Sequence, residues 1–160
     1  PLNVCVITAV NKKEILFNNT RIRFVKTKPK NLFGYEKVRY NDFEIFIADA
    51  EKSIIDSAVF NLVSFPELKE IISNNFKKLN RKKFIDYLKR IGNKSLIKRF
   101  GYLFETLGKD YYKELKKHID ATYVVLDTTK EKIGKRNEKW RLIINDWEKR
   151  TGKNIKDYRN

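Results

Sequence analysis

The stretch KSLIKRFGYLFETLG, residues 94–108, decides the fold class. Its large apolar residues recur at helical spacing and form one broad face: Leu96, Ile97, Phe100, Leu103, Phe104 and Leu107. This period predicts a helix from about Lys94 to Leu107, and Gly108 fits the position that ends it. A helix with so wide an apolar face has to be covered by other elements, so the segment predicts a helical layer within a larger core.

Further helices are predicted on both sides of this segment. One begins at the N-cap residue Asp49 and ends near Asn61, and a second begins at Pro66 and runs through Phe76. Asn80 caps a third, which Gly92 ends. A short helix over 112–117 follows the long one, which makes a layer of four to five helices.

The chain before residue 49 has the composition of β structure, with β-branched and aromatic residues separated by turn residues. The predicted strands are Val4–Val10, Arg21–Lys26, Lys37–Tyr40 and Phe43–Ala48. Asn18-Asn19 and Asn41-Asp42 separate strand-like runs and tolerate the left-handed backbone of tight hairpin turns. Two more strands, 121–126 and 139–144, are predicted near the end of the chain, joined by a polar connection over 130–139.

Alternation along these strands predicts which side chains face the core. Ile22 and Phe24 alternate with two arginines, one of them Arg23, which are left to solvent or to an anion. The same alternation predicts a core face for three residues of a later strand: Phe43, Ile45 and Ile47. The predicted fold is therefore α+β, with an N-terminal antiparallel sheet packed against the helices and a returning C-terminal strand pair. We expect a single domain over 1–147 and a basic tail over 148–160.

Charge and cysteine content limit the possible functions. The chain has 36 Lys and Arg against 20 Asp and Glu, a net charge of +16 at pH 7, which favours nucleic acid or an acidic protein surface as partner. The single cysteine, Cys5, excludes a disulfide scaffold, and with the single histidine, His118, it argues against a soft-ligand metal site. Cys5 lies in an apolar strand, which predicts a buried structural thiol. We expect a cytoplasmic protein with no membrane partner, because no apolar run reaches the length of a membrane span.

Catalytic patterns are weak, and we expect neither an enzyme nor a bound cofactor or metal. The chain has no Gly-x-Ser-x-Gly turn and no phosphate-binding Gly-rich loop. Two Glu-x-Lys triplets, which begin at Glu67 and Glu114, lie in predicted helices and fit solvated helix faces. Asp56 fits a boundary carboxylate paired with a base such as Arg99, and Gly101 predicts that another backbone packs closely against the long helix. Basic clusters at 77–83 and 130–141 remain as candidate phosphate contacts.

Three segments, 48–56, 98–108 and 126–145, resemble in order and spacing the C-terminal domain of AbiEi-type antitoxins. The residues that carry this resemblance are Asp49, Glu51, Asp56, Arg99, Gly101, Tyr102, Glu105, Asp127, Trp140 and Asn145. The resemblance implies an antitoxin of a type IV toxin–antitoxin system in abortive phage defence, which counters a nucleotidyltransferase-like toxin without a stable complex. It also implies a longer transcriptional autoregulator. We expect the family's N-terminal winged helix-turn-helix to be missing here, since nothing before Val4 supplies three helices and a wing.

Three hypotheses for the mechanism stay open. In the first, the domain shields or competes for the nucleic-acid or nucleotide target of the toxin through basic side chains: Arg23, Lys82, Lys98, Arg136 and Arg141. In the second, it is a metal-dependent nuclease that uses acidic side chains: Asp49, Glu51, Asp56 and Glu105. In the third, it is a basic accessory domain that binds nucleic acid and gives no protection against the toxin.

Overall fold

A computed structural model describes residues 2–145 of the protein. The fold belongs to the α+β class, as predicted. The strands are β1 (Leu2–Thr8), β2 (Ile15–Phe17), β3 (Thr20–Lys26), β4 (Tyr35–Tyr40), β5 (Phe43–Ala48), β6 (Val124–Val125), β7 (Lys135–Asn137) and β8 (Leu142–Ile144). The helices are α1 (Ala50–Val59), α2 (Phe65–Asn75), α3 (Arg81–Ile91), α4 (Lys94–Thr106) and α5 (Tyr112–Leu115).

The contacts of the chain divide it between Ser53 and Ile54 into two compact units, an N-terminal and a C-terminal one. Each is described by itself. The single domain expected over 1–147, and the packing of the helices on the N-terminal sheet, therefore stay predictions. The basic tail expected over 148–160 lies outside the described residues.

The N-terminal unit contains a three-stranded sheet of order β1-β3-β2. β2 and β3 form the predicted hairpin, whose turn residues Asn18 and Asn19 have φ of 43° and 60°. β1 pairs with β3 in the parallel direction, so this sheet is mixed and differs from the antiparallel one expected. The direction of β1 was not predictable, because alternation of apolar and polar residues is the same whichever way a strand runs.

β4 and β5 form a separate antiparallel hairpin around Asn41, whose φ of 51° confirms the predicted turn. The prediction of a core face on β5 is wrong, since Phe43, Ile45 and Ile47 are 72%, 42% and 49% exposed. This sheet has only two strands, and the described residues leave both faces of β5 open to solvent between Phe43 and Ile47.

Cys5 is also exposed, which contradicts the prediction of a buried thiol. In the β1–β3 register Cys5 lies opposite Arg23, which is exposed as predicted. Residues opposite each other in a sheet share a face, so Cys5 lies on the face of the arginines and not on that of Ile22 and Phe24.

The C-terminal unit is built around α4, whose buried face matches the prediction. Three helices begin at an N-cap side chain. Ser64 forms a capping box with Glu67 at the start of α2, Asn80 caps α3, and Asn93 caps α4. The core collects the apolar faces of the helices and of the last strands, and its fully buried large side chains include Ile55, Ile72, Phe84, Leu88, Ile97, Phe100, Phe104, Leu115 and Trp140. α1 ends two residues earlier than expected, and α2 begins one residue earlier.

The returning strands form a three-stranded sheet of order β6-β8-β7, where the sequence predicted a pair. β6 runs parallel to β8, and β7 runs antiparallel to it. β7 lies in the stretch predicted to be a polar connection. The strand was missed because two of its residues, Lys135 and Arg136, are exposed cations on an edge strand and show no apolar alternation. Within residues 2–145 no helix has both the length and the apolar character needed to cross a membrane.

Candidate functional site

The resemblance residues of α4 meet those of the last strands inside the C-terminal unit. A Cβ atom built on Gly101 would overlap the indole ring of Trp140, so glycine is required for this contact. The close approach predicted at Gly101 is confirmed, although the neighbour is an aromatic side chain and not the expected backbone. Trp140 is fully buried, and its ring also lies edge-on to Tyr112, with 5.3 Å between the centroids.

Glu105, one turn after Gly101, holds the polar edge of the same indole. Its Oε2 accepts the hydrogen bond from Trp140 Nε1, and its Oε1 lies 3.0 Å from Lys139 Nζ. Lys139 also donates to Asp110 at 2.7 Å. That hydrogen bond is the main reason why the pKa of Lys139 is raised and the pKa of Asp110 is lowered. Glu105 therefore positions an aromatic ring and a cation.

Asp127 and Asn145 join the loop after β6 to the end of β8. The Asp127 backbone N–H donates to Asn145 Oδ1, and Asn145 Nδ2 donates to the Asp127 carbonyl, both at 2.8 Å. Asn145 Nδ2 also donates to the Glu131 carbonyl at 2.8 Å. Asp127 Oδ1 accepts from the backbone N–H and the hydroxyl of Thr129, so this buried pair fixes the course of the loop.

Arg99 connects α4 to β6. Its Nε donates to the Val125 carbonyl at 2.9 Å. Burial lowers the pKa of Arg99, and the nearby Asp127 carboxylate opposes that shift. The carboxylate that acts on Arg99 is thus Asp127, where the sequence suggested Asp56.

The remaining resemblance residues belong to α1 and α4. Asp49 Oδ1 caps α1 by accepting from the Lys52 backbone N–H at 2.8 Å. Glu51 and Asp56 are buried on α1, and Tyr102 is half-buried against the core. Across residues 2–145, no three His, Cys, Asp or Glu side chains are grouped so that they could hold a metal ion.

Lys98 does not fit its expected role as a contact for an external anion. It is 1% exposed, and its ammonium donates to Asp120 Oδ1 and to the Thr122 carbonyl, each at 2.5 Å. Lys98 lies on the buried face of α4, and its ammonium joins α4 to the segment before β6. The side chain is therefore not available to an external anion. Arg23 on β3 and Lys82 in the first turn of α3 are exposed, as expected.

Arg136 and Arg141 come together on the β7–β8 hairpin, around the ring of Tyr123. The guanidinium carbons of Arg136 and Arg141 lie 5.2 Å and 5.5 Å from the ring centroid, which is cation–π geometry. Arg141 Nη1 also donates to the Tyr123 hydroxyl at 3.0 Å and to Glu138 at 2.6 Å. We call Tyr123, Arg136 and Arg141 the Tyr123 cluster.

The turn of this hairpin explains how the cluster forms. Asn137 Oδ1 accepts from the Trp140 backbone N–H at 2.9 Å and closes the turn. Arg141 then takes a φ of 53°, in the left-handed region that a non-glycine residue adopts at a cost in free energy. The sequence placed both arginines in one basic stretch, but Tyr123 was missed, because it lies outside that stretch.

A cavity of about 270 Å³ lies elsewhere in the C-terminal unit, between the α1–α2 connection, α4 and the loop after β6. Its wall is mainly apolar and includes Leu62, Phe65, Leu68, Leu96, Phe100 and Leu126. Arg99, Glu67, Thr128 and Thr129 are among its polar lining residues. The sequence showed no sign of this cavity, since its lining comes from three separate segments.

Comparison of the chain with protein-family models, with curated proteins and with solved structures finds no match in any of the three.

Proposed function

We propose that this chain is a non-catalytic antitoxin domain that protects against a nucleotidyltransferase-like toxin by binding the toxin's nucleic-acid target. The observation that carries the proposal is the Tyr123 cluster, in which two arginines of the β7–β8 hairpin lie within cation–π distance of one half-buried aromatic ring. Arginine neutralises phosphate, and an adjacent aromatic ring stacks on an unpaired base, so the cluster offers both contacts that a single-stranded nucleic acid needs.

The charge around the cluster supports this proposal. Between positions 130 and 141 the chain has six Lys or Arg and two Asp or Glu. Part of this charge serves the fold, since Lys139 pairs with Glu105 and Asp110. Lys132, Lys135 and Arg136 are exposed, so they extend the positive surface beyond the Tyr123 cluster.

The role of the resemblance residues supports the antitoxin part of the proposal. The contacts Gly101–Trp140, Glu105–Trp140 and Asp127–Asn145 join α4, the loop after β6 and β8 into one frame. That frame holds the hairpin on which Arg136 and Arg141 lie. The motifs that resemble AbiEi-type antitoxins would thus act by positioning a binding surface and not by chemistry of their own.

The test is rescue of growth by point variants, with the chain co-expressed beside a nucleotidyltransferase-like toxin. We expect Arg136→Glu to abolish protection, because it reverses a charge of the Tyr123 cluster. The matched control is Lys113→Glu, the same reversal at an exposed residue of α5 outside the cluster. Equal protection by the wild-type chain and Arg136→Glu would overturn the role of the cluster.

A parallel binding assay separates the other two hypotheses. A wild-type chain that binds RNA or DNA through Arg136 but never rescues growth is an accessory domain and not an antitoxin. A chain that cleaves RNA or DNA in the presence of Mg²⁺, and loses this activity in Glu105→Gln, is a nuclease.

A further inference from the structure

The cavity beside α4 contains an arginine whose hydrogen-bonding capacity is largely unused. Arg99 donates from Nε to the Val125 carbonyl, and with residues 2–145 its two terminal nitrogens make no hydrogen bond or ion pair. Four N–H donors of a partly buried guanidinium are therefore left for whatever occupies the cavity. Burial lowers the pKa of Arg99, and the Asp127 carboxylate opposes that shift.

We propose that this cavity binds a small monocarboxylic acid with an apolar body, whose carboxylate pairs with the terminal nitrogens of Arg99. The planar fork of arginine matches a carboxylate in a two-point hydrogen bond. The apolar wall, which includes Leu68, Phe100 and Leu126, suits an aliphatic or aromatic body. A volume of about 270 Å³ lies just below the usual range for small-molecule sites, so the ligand is a small one.

The charges near Arg99 favour a carboxylate over a phosphate. Asp127 is fully buried and acts on Arg99, and Lys130 lies 3.8 Å from its other carboxylate oxygen. Glu67 lines the cavity and keeps its charge, because hydrogen bonds from Ser64 lower its pKa. Asp127 and Glu67 repel any anion at the site, and they repel a doubly charged phosphate more strongly than a singly charged carboxylate.

The site is separate from the Tyr123 cluster, since neither Arg136 nor Arg141 lines the cavity. Helix capping alone does not explain the site. Glu67 and Ser64 satisfy each other's hydrogen bonds at the start of α2. The proposal therefore does not depend on the antitoxin function.

The test is calorimetric titration of the chain with phenylacetate and 4-methylpentanoate. Neutral phenylacetamide and inorganic phosphate are titrated as comparisons. We expect both carboxylates to bind with a dissociation constant on the order of 1 mM or tighter, and the two comparison compounds to bind much more weakly. Failure of both carboxylates to bind saturably at ten times that concentration overturns the proposal, as does equal binding of the amide or of phosphate.

Variants locate the binding. Arg99→Gln should weaken phenylacetate binding by about 10- to 100-fold, the usual value for hydrogen bonds to a charged group, whereas Arg136→Gln should leave it unchanged. If Arg99→Gln does not fold, Thr128→Trp replaces it. Thr128 is exposed at the cavity, so a larger side chain there should close the cavity without disturbing the core. Unchanged phenylacetate binding in a folded Arg99→Gln or Thr128→Trp protein overturns the proposal.

Discussion

Gly101 and Trp140 show how a single missing side chain can hold two elements together. The absence of a Cβ on α4 lets the indole ring lie directly against the helix, and Glu105 then fixes the indole N–H. Gly101→Ala should lower the free energy of unfolding by about 2 kcal/mol or more, because the new methyl group and the buried ring overlap. Urea denaturation measures the effect.

Gly108→Ala is the matched control for this substitution. Gly108 has a φ of 80°, and a Cβ there meets no atom within 4 Å, so only backbone strain of about 1 kcal/mol is expected. Equal losses in the two variants would contradict the overlap at Trp140.

Asp120 is the counterion of the buried Lys98. The hydrogen bond from Lys98 is the largest cause of the lowered pKa of Asp120, and Lys94 adds to the effect. Asp120→Asn should destabilise the protein near neutral pH, because it leaves a buried ammonium without its ion pair. Because the pKa of Asp120 in the folded state lies below the unfolded value of about 3.9, the stabilisation is present above about pH 4. It is lost as the pH falls through the folded-state pKa.

Urea denaturation of wild type and Asp120→Asn at neutral and acidic pH measures this dependence. The difference between them should shrink as the solution is acidified. Asp86→Asn is the control, since Asp86 forms an exposed pair with Lys89 at 4.0 Å and should show little effect at either pH. A difference that stays constant with pH would show that Asp120 does not act through its charge.

Most of these side-chain interactions could not be predicted from the sequence. A glycine inside an apolar helix indicated close packing, and that prediction was confirmed. The partner was not predictable, since Trp140 is distant along the chain. The sequence predicts Lys98 as a surface cation, because spacing on a helix does not reveal its partner Asp120, 22 residues away.

At the scale of elements, helices were predicted better than strands. The N-cap Asn80 and the C-cap Gly92 carry local signals, and the structure confirms them. Strand partners depend on distant residues, so the parallel direction of β1 and the existence of β7 were missed. The β4–β5 hairpin shows the same limit, because alternation predicts two faces but not what covers either of them.

The N-cap of α4 offers a test at this scale. Asn93 Oδ1 accepts from the Leu96 backbone N–H at 3.2 Å. Asn93→Ala should lower the free energy of unfolding by about 1 kcal/mol, whereas Asn93→Asp should retain most of the stability, since aspartate also caps. Thermal denaturation compares the two variants with wild type, and an equal loss in both would contradict the capping role.

For the whole molecule, net charge is a poor guide to where binding occurs. The excess of +16 is spread over the chain, and part of it serves the fold through Lys98 and Lys139. The sequence therefore predicted an affinity for anions and named five candidate residues, but it did not show which of them lie together. The structure groups Arg136 and Arg141 around Tyr123, while Arg23 lies in the other unit.

Salt dependence tests whether this surface meets phosphates. If three or four phosphates of a single strand contact the Tyr123 cluster and its exposed lysines, the logarithm of the binding constant should fall with the logarithm of salt concentration with a slope of about −2 to −3. Arg136→Gln should reduce the magnitude of the slope by about 1, whereas Tyr123→Phe should leave it nearly unchanged. Fluorescence anisotropy with a labelled oligonucleotide measures both, and a slope near zero would contradict a phosphate-binding surface.

The proposed antitoxin function is tested by growth after induction of a nucleotidyltransferase-like toxin, with and without this chain expressed. We expect this chain to restore growth relative to an empty vector, because the proposed antitoxin function needs only the frame and the Tyr123 cluster that the chain carries. Growth arrest that persists while the chain is folded and present in the cells would overturn the proposed function.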